Sequence, residues 1–98
     1  MSKIRESAQG EQCTIRLPGI CNYNPDTTVW AHSNRSSDGK GMGLKAKDEN
    51  GAYACYNCHC VYDRQRKRPE GMTLEYVEDR FTLAMQKSRT LLKDKGLL

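Results

Sequence analysis

Four cysteines in two pairs are the residues of this chain best suited to chemistry. Cys55 and Cys58 have the two-residue gap that lets both sulfurs face one ion, while Cys13 and Cys21 are separated by seven residues that include Pro18 and Gly19. Proline fixes one backbone angle and glycine permits the strained one beside it, so a knuckle-like turn can close the wider gap. Four thiolates in two pairs are what a closed tetrahedral zinc site needs. The alternative for such a quartet is disulfide bonding. Five cysteines is an odd number, and no apolar run near the N-terminus has the length of a signal peptide. A cytoplasmic, reducing location is therefore expected, where a thiol cluster reads as metal-binding.

The second pair runs directly into His59 and Asp63. These two are four apart, so on a helix both side chains project from one face about one turn apart. An imidazole and a carboxylate held that way make half of an open site for a divalent cation such as magnesium, manganese or zinc. A plain surface ion pair is the alternative. His32, at the end of Val29-Trp30-Ala31-His32, offers an imidazole that can take a proton from water at neutral pH. It can also be read as a core histidine, or as a zinc ligand in place of Cys13 or Cys21. Cys60 is either a spare thiol or a competitor of Cys58 for zinc.

Short elements must position these groups. Ser2 is expected to cap a helical turn ending by Gly10, and Gln12 to Leu17 alternates like a short strand. Cys21 to Asp26 is turn chemistry, after which Thr27 to His32 is rich in β-branched and aromatic residues and reads as a strand. From Ser33 to Lys47 a surface loop is expected, and Gly39-Lys40-Gly41-Met42-Gly43 lacks the spacing of a nucleotide-binding loop. A second strand spans about Gly51 to Ala54 and leads into the Cys55 pair. A helix from Tyr56 to Arg68, stopped by Pro69, follows. Leu74, Val77, Phe81, Ala84, Met85, Leu91 and Leu92 recur at three- and four-residue intervals, which predicts an amphipathic helix over about 73–95 with Thr73 as N-cap and Gly96 as C-cap. Its stripe is expected to pack on the metal core or to pair with a second copy in a homodimer.

With 98 residues and one Trp and one Phe, the chain has material for one domain with a small core. Metal binding can supply the missing stability, because forming a structural zinc site is also folding free energy. The domain is read as residues 1–98, with the metal core at about 12–68. No segment reads as membrane-spanning. The net charge is +4, and its distribution points to phosphate. Arg64, Arg66, Lys67 and Arg68 follow the second cysteine pair, and Arg35, Lys40, Lys45 and Lys47 punctuate the central loop. A solvated basic face is the alternative.

Across about residues 12–64 the chain resembles the HNH, or ββα-metal, endonucleases, and within them the small YbcO-like nucleases of prophage type. The resemblance lies in Cys13-Thr14-Ile15-Arg16-Leu17-Pro18-Gly19-Ile20-Cys21-Asn22, in Val29-Trp30-Ala31-His32, in Asp48, and in Ala54-Cys55-Tyr56-Asn57-Cys58-His59 with Asp63-Arg64. It implies a small α+β, zinc-stabilised ββα-metal domain of treble-clef-like shape with a C-terminal amphipathic helix. By the same resemblance His32 is similar to the general base, and either Asp48 or Asn50 to the residue that orients it. His59 and Asp63 are similar to ligands of a catalytic divalent metal, and Cys13, Cys21, Cys55 and Cys58 to a structural zinc site. Ala31 departs from the wider pattern, which often has a metal-binding side chain there, so fewer protein ligands are expected.

The function that follows is metal-dependent hydrolysis of phosphodiester bonds in DNA, giving 5′-phosphate and 3′-hydroxyl ends. The main rival is a non-catalytic zinc module that binds nucleic acid through the basic run. A protein-interaction module using the C-terminal helix is a third reading.

Overall fold

The computed structural model describes residues 3–34 and 49–98. The expectations placed on Ser2, on Arg35, Lys40, Lys45, Lys47 and Asp48, and on the glycine-containing loop lie outside those residues. Helix α1 (Lys3–Glu6), a 3-10 turn (Pro25–Thr27), strands β1 (Val29–His32) and β2 (Gly51–Ala54), and helices α2 (Tyr56–Tyr62) and α3 (Leu74–Asp94) follow in that order. The result is a small α+β unit with one two-stranded sheet and a long C-terminal helix. Among the described residues no helix is long and apolar enough to cross a membrane.

The two strands pair antiparallel, with Val29 opposite Ala54, Trp30 opposite Tyr53, Ala31 opposite Ala52 and His32 opposite Gly51. Small alanines on one face admit α2 and α3 closely. Ala31, Ala52 and Ala54 join Ile15, Leu17, Val61, Tyr62, Val77, Phe81 and the buried cysteines in the main core. There the rings of Tyr62 and Phe81 stack at 3.7 Å, nearly parallel at 3°. The other face carries Trp30 and Tyr53, which meet edge to face at 5.1 Å and pack with Ala8 and Leu92.

Helix α3 ties both cores together. Four residues of its predicted stripe are buried, Val77, Phe81 and Ala84 in the main core and Leu92 in the second, while Leu74, Met85 and Leu91 are partly buried. Thr73 caps it, its hydroxyl accepting the Tyr76 N–H at 3.0 Å. The C-cap is Lys95, and Gly96, expected as the cap itself, is the next residue, closing the helix at φ 74° with Leu97 N–H on the Leu92 carbonyl and Gly96 N–H on that of Lys93. The periodicity did not mark Ser88, which is fully buried on the same helix face. Its hydroxyl accepts the Tyr53 N–H at 3.0 Å and lies 3.1 Å from the Thr14 hydroxyl, covering the outer edge of β2.

Three expected boundaries are corrected. Gln12 to Leu17 is not a strand. Thr14 hydrogen-bonds β2, through its N–H and hydroxyl on the Tyr53 carbonyl, while Cys13, Ile15 and Leu17 join the core that includes Ala52 and Ala54. Beyond Thr14, Arg16 adopts φ 49°, and the N–H groups of Arg16 and Leu17 turn onto the sulfurs of Cys13 and Cys58. The first strand begins at Val29 rather than Thr27, because Asn24 accepts the Asp26 N–H and folds Pro25–Thr27 into a 3-10 turn. Helix α2 stops at Tyr62, not Arg68. Arg64 at φ 62° takes the left-handed closing position, Gln65 N–H reaches the Cys60 carbonyl and Arg64 N–H reaches Val61, so the helix is ended by its own closing turn well before Pro69.

Candidate functional site

The knuckle, the end of β2 and the start of α2 converge on one point. The Sγ atoms of Cys13, Cys21, Cys55 and Cys58 all lie within 4.8 Å of one another, and Cys21 and Cys55 approach to 3.8 Å. A tetrahedral ion with Zn–S bonds near 2.3 Å sets its sulfurs about 3.8 Å apart, so the cluster has the right size. None of the four is in a disulfide. Backbone N–H groups of Arg16, Leu17 and Cys58 point at sulfurs of the cluster, each at 3.4 Å, and such donors stabilise thiolate ligands. The cluster can hold a structural metal ion such as zinc. Cys60 is buried but stands outside it, so it does not compete with Cys58 for that position.

The electrostatics of Cys13, Cys21 and Cys58 favour a cation. The Cys58 thiol, followed by the backbone N–H of Arg16, pulls Cys13 down to about 5 against the cost of burial. Cys58 is raised by that same contact with Cys13 and by burial. Burial and the neighbouring Cys13 and Cys55 push Cys21 up to about 11. One thiolate is thus comfortable and its neighbours resist joining it. A dication at the centre removes that conflict, because ligand sulfurs ionise against its charge.

One turn further along α2, His59 Nε2 lies 2.8 Å from Asp63 Oδ2, with both side chains about three-quarters buried. The predicted shared face is therefore real, and the two groups are paired on it. Asn34 joins this pair to β1. Its backbone N–H donates to the Tyr62 hydroxyl at 2.9 Å, and its Nδ2 donates to Asp63 Oδ1 at 3.2 Å. His32 is two residues earlier, and two residues of chain reach no more than about 7 Å. By the pleat His32 stands on the face of Trp30 and Tyr53 while Ala31 faces the main core. Asn34 is thus what draws the His32 end of the strand to the Asp63 end of the helix. The Ser33 N–H on the Asn50 carbonyl, at 2.8 Å, extends the ladder past His32.

Asn50, one of two residues expected to orient His32, directs its Oδ1 at Arg89 Nη2, 3.0 Å away, which moors the approach to β2 onto α3. Arg80 moors the knuckle in the same way, through the carbonyls of Ile15 and Arg16. The basic run lies off the helix expected to carry it. Arg64, Arg66, Lys67 and Arg68 instead line a cleft of about 310 Å³ with Val61 and Met72, and Arg68 Nε donates to the Met72 carbonyl. Asn34, Arg80, Ser88 and Arg89 were not singled out in the sequence. Nothing in their spacing marks them, since each acts on a segment far away along the chain.

Known proteins resemble this chain at both the sequence and the structural level. A protein of Escherichia coli (strain K12) described as "Putative nuclease YbcO" is 42% identical over 65 residues, covering 66% of this chain and 67% of that protein. The "Putative nuclease ybcO" of Enterobacteria phage 82 matches to the same extent. A solved structure titled "Structure of a putative bacteriophage protein from Escherichia coli str. K-12 substr. MG1655" superposes with a TM-score of 0.76 at 26% identity, covering 96% of this chain and all of that one. The family model described as "Putative nuclease YbcO" matches residues 2–96, and the chain accordingly belongs to that family.

Proposed function

We propose that this chain is a metal-dependent endonuclease of the HNH, ββα-metal type that hydrolyses phosphodiester bonds in DNA. The observation that carries this reading is Asn34, which ties the His32 end of β1 to the Asp63–His59 pair on α2. The succession β1, β2, α2 and the sulfur cluster at the foot of α2 support it. So do the family and the names of its relatives.

His59 and Asp63 fit a catalytic cation by donor type, an imidazole nitrogen and a carboxylate oxygen already adjacent. That cation, when bound, polarises the phosphoryl group and stabilises charge on the departing oxygen. His32 accepts the proton of the attacking water. The new oxygen–phosphorus bond forms as the bond to the 3′-oxygen breaks, leaving a 5′-phosphate and, once that oxygen gains a proton, a 3′-hydroxyl. Asp48 or Asn50 accepts the other ring N–H of His32 and fixes its tautomer. Cys13, Cys21, Cys55 and Cys58 hold zinc as scaffold, and the basic residues from Arg64 to Arg68 hold the substrate backbone.

The test is cleavage of a DNA substrate by the zinc-loaded protein with added magnesium, manganese or zinc. His32→Ala is expected to lower the rate at least 100-fold while zinc content and helical signal stay unchanged. Asp63→Asn is expected to shift the dependence on added metal to higher concentrations, a change that a mere ion pair with His59 would not produce. The absence of cleavage with every metal, alongside salt-sensitive DNA binding that ignores His32→Ala, would establish the non-catalytic binding module instead.

A further inference from the structure

Helix α2 carries more than the two proposed ligands. Tyr56 opens it, and Tyr56, His59 and Asp63 follow at the three- and four-residue spacing that aligns side chains on one face. Tyr56 is 60% exposed although it is a large aromatic beside a buried cluster. At 1.5 Å per residue, its Cα stands roughly 10 Å from that of Asp63 along the axis. A second aromatic, Tyr23, is also exposed and held at φ 54°. It lies two residues beyond Cys21, whose sulfur is 3.8 Å from that of Cys55. Past the other end of α2, the closing turn at Arg64 opens the cleft lined by Arg64, Arg66, Lys67 and Arg68. Among the described residues no carboxylate lines that cleft.

Along one short helix the groups therefore run from an exposed aromatic, through the partly buried imidazole–carboxylate pair, to a mostly exposed basic run. Aromatic rings recognise the faces of unpaired bases, which a duplex keeps stacked on one another, and a basic groove follows the backbone. Stacked bases rise about 3.4 Å per nucleotide, so the roughly 10 Å from Tyr56 to Asp63 spans about three nucleotides. Resting on the nuclease reading above, we propose that α2 is a track for a single unpaired strand. One base stacks on Tyr56, the scissile phosphate lies at His59 and Asp63, and a neighbouring phosphate sits in the Arg64–Arg68 cleft. The substrate class is then single-stranded DNA, or the unpaired segment of a branched or frayed molecule.

The experiment measures binding of fluorescein-labelled oligothymidylate, and of a duplex of equal length, to the zinc-loaded full chain without added divalent metal. Tighter binding of the single strand is expected. Tyr56→Ala should weaken it by about 5- to 50-fold, as loss of one base–aromatic stack does, and Tyr56→Phe should restore it. Arg66→Ala should lower the salt dependence of binding by about one charge. Zinc content and helical signal report whether each variant folds. Duplex bound as tightly as single strand, or Tyr56→Phe as weak as Tyr56→Ala, overturns the proposal. The two readings fail separately. Tyr56-dependent strand binding with no cleavage under any metal sinks the nuclease alone, whereas His32-dependent cleavage with no single-strand preference sinks the track alone.

Discussion

Asn34 donates from Nδ2 to Asp63 Oδ1 at 3.2 Å, a side-chain bond between residues 29 positions apart that fastens the segment after His32 to the end of α2. A second bond, from the Asn34 N–H to the Tyr62 hydroxyl, survives any change of that side chain. Asn34→Ala is therefore expected to leave the fold and zinc content intact. Cleavage should fall about 10- to 100-fold, the usual cost of losing a residue that orients metal ligands. Steady-state rates across a metal titration check this, and Asn34→Asp should not rescue, because it sets a second carboxylate against Asp63.

Removing the structural metal should unfold much of the chain. The cysteines sit inside the main core, and their pairs join the knuckle, β2 and α2. Structural zinc contributes on the order of 10 kcal/mol in small modules, more than a core this size supplies. A chelator should abolish the helical circular-dichroism signal, and returning zinc should restore it. Cys55→Ser should reproduce the loss.

Zinc uptake should also release protons. Cys21, pushed up to about 11, and Cys58, likewise raised, hold their protons at pH 7 when no metal is bound. Raised thiols mean that protons compete with the metal, so affinity falls as pH drops, by up to about tenfold per pH unit for each proton displaced. Titration calorimetry in buffers of different ionisation enthalpy should give at least these two protons per zinc. Fewer would mean that the sulfurs are already ionised.

Gly51 should resist replacement although its backbone angles are ordinary. A Cβ there would fall 2.6 Å from the Ala31 carbonyl oxygen and 2.7 Å from Trp30 Nε1. Gly51→Ala should cost about 1–3 kcal/mol as the indole and the strand pair move apart. Because Gly51 faces His32 across the ladder, the same substitution should lower cleavage. Urea denaturation and rate measurements together test both.

Ser88→Ala should be costlier than its small size suggests. The Ser88 hydroxyl accepts the Tyr53 N–H on the buried edge of β2 and lies beside the Thr14 hydroxyl. Without it a buried donor is left unpaired, at about 1–3 kcal/mol. Chemical denaturation should show the shift in midpoint.

Features set by neighbours in the chain were legible from the sequence. The N-cap of α3 at Thr73, its closing glycine one residue past the Lys95 cap, and the inward face of its stripe were legible, because each depends on residues within two turns. The pairing of His59 with Asp63 followed from helical spacing in the same way. The gathering of the cysteines was legible because four thiols in two spaced pairs have few other ways to be satisfied.

What failed was decided by distant partners. Gln12 to Leu17 has a strand's alternation, but its amides found sulfurs from Cys13 and Cys58 instead of a ladder. Helix α2 ended early because Arg64 could take the left-handed position while Val61 and Tyr62 were buried against α3, which freed the basic run to form a cleft. Thus the amino-acid order by itself determined the strand pair, the long C-terminal helix, the thiols that gather into a possible metal site and the groups that share one helix face, since these follow from the pattern of neighbouring residues. Only the tertiary structure decided that Asn34 meets Asp63, that Ser88 and Arg89 hold β2, and that Tyr56 and the arginines flank one helix, because hydrogen bonds between remote segments exist only once the core has brought those segments together.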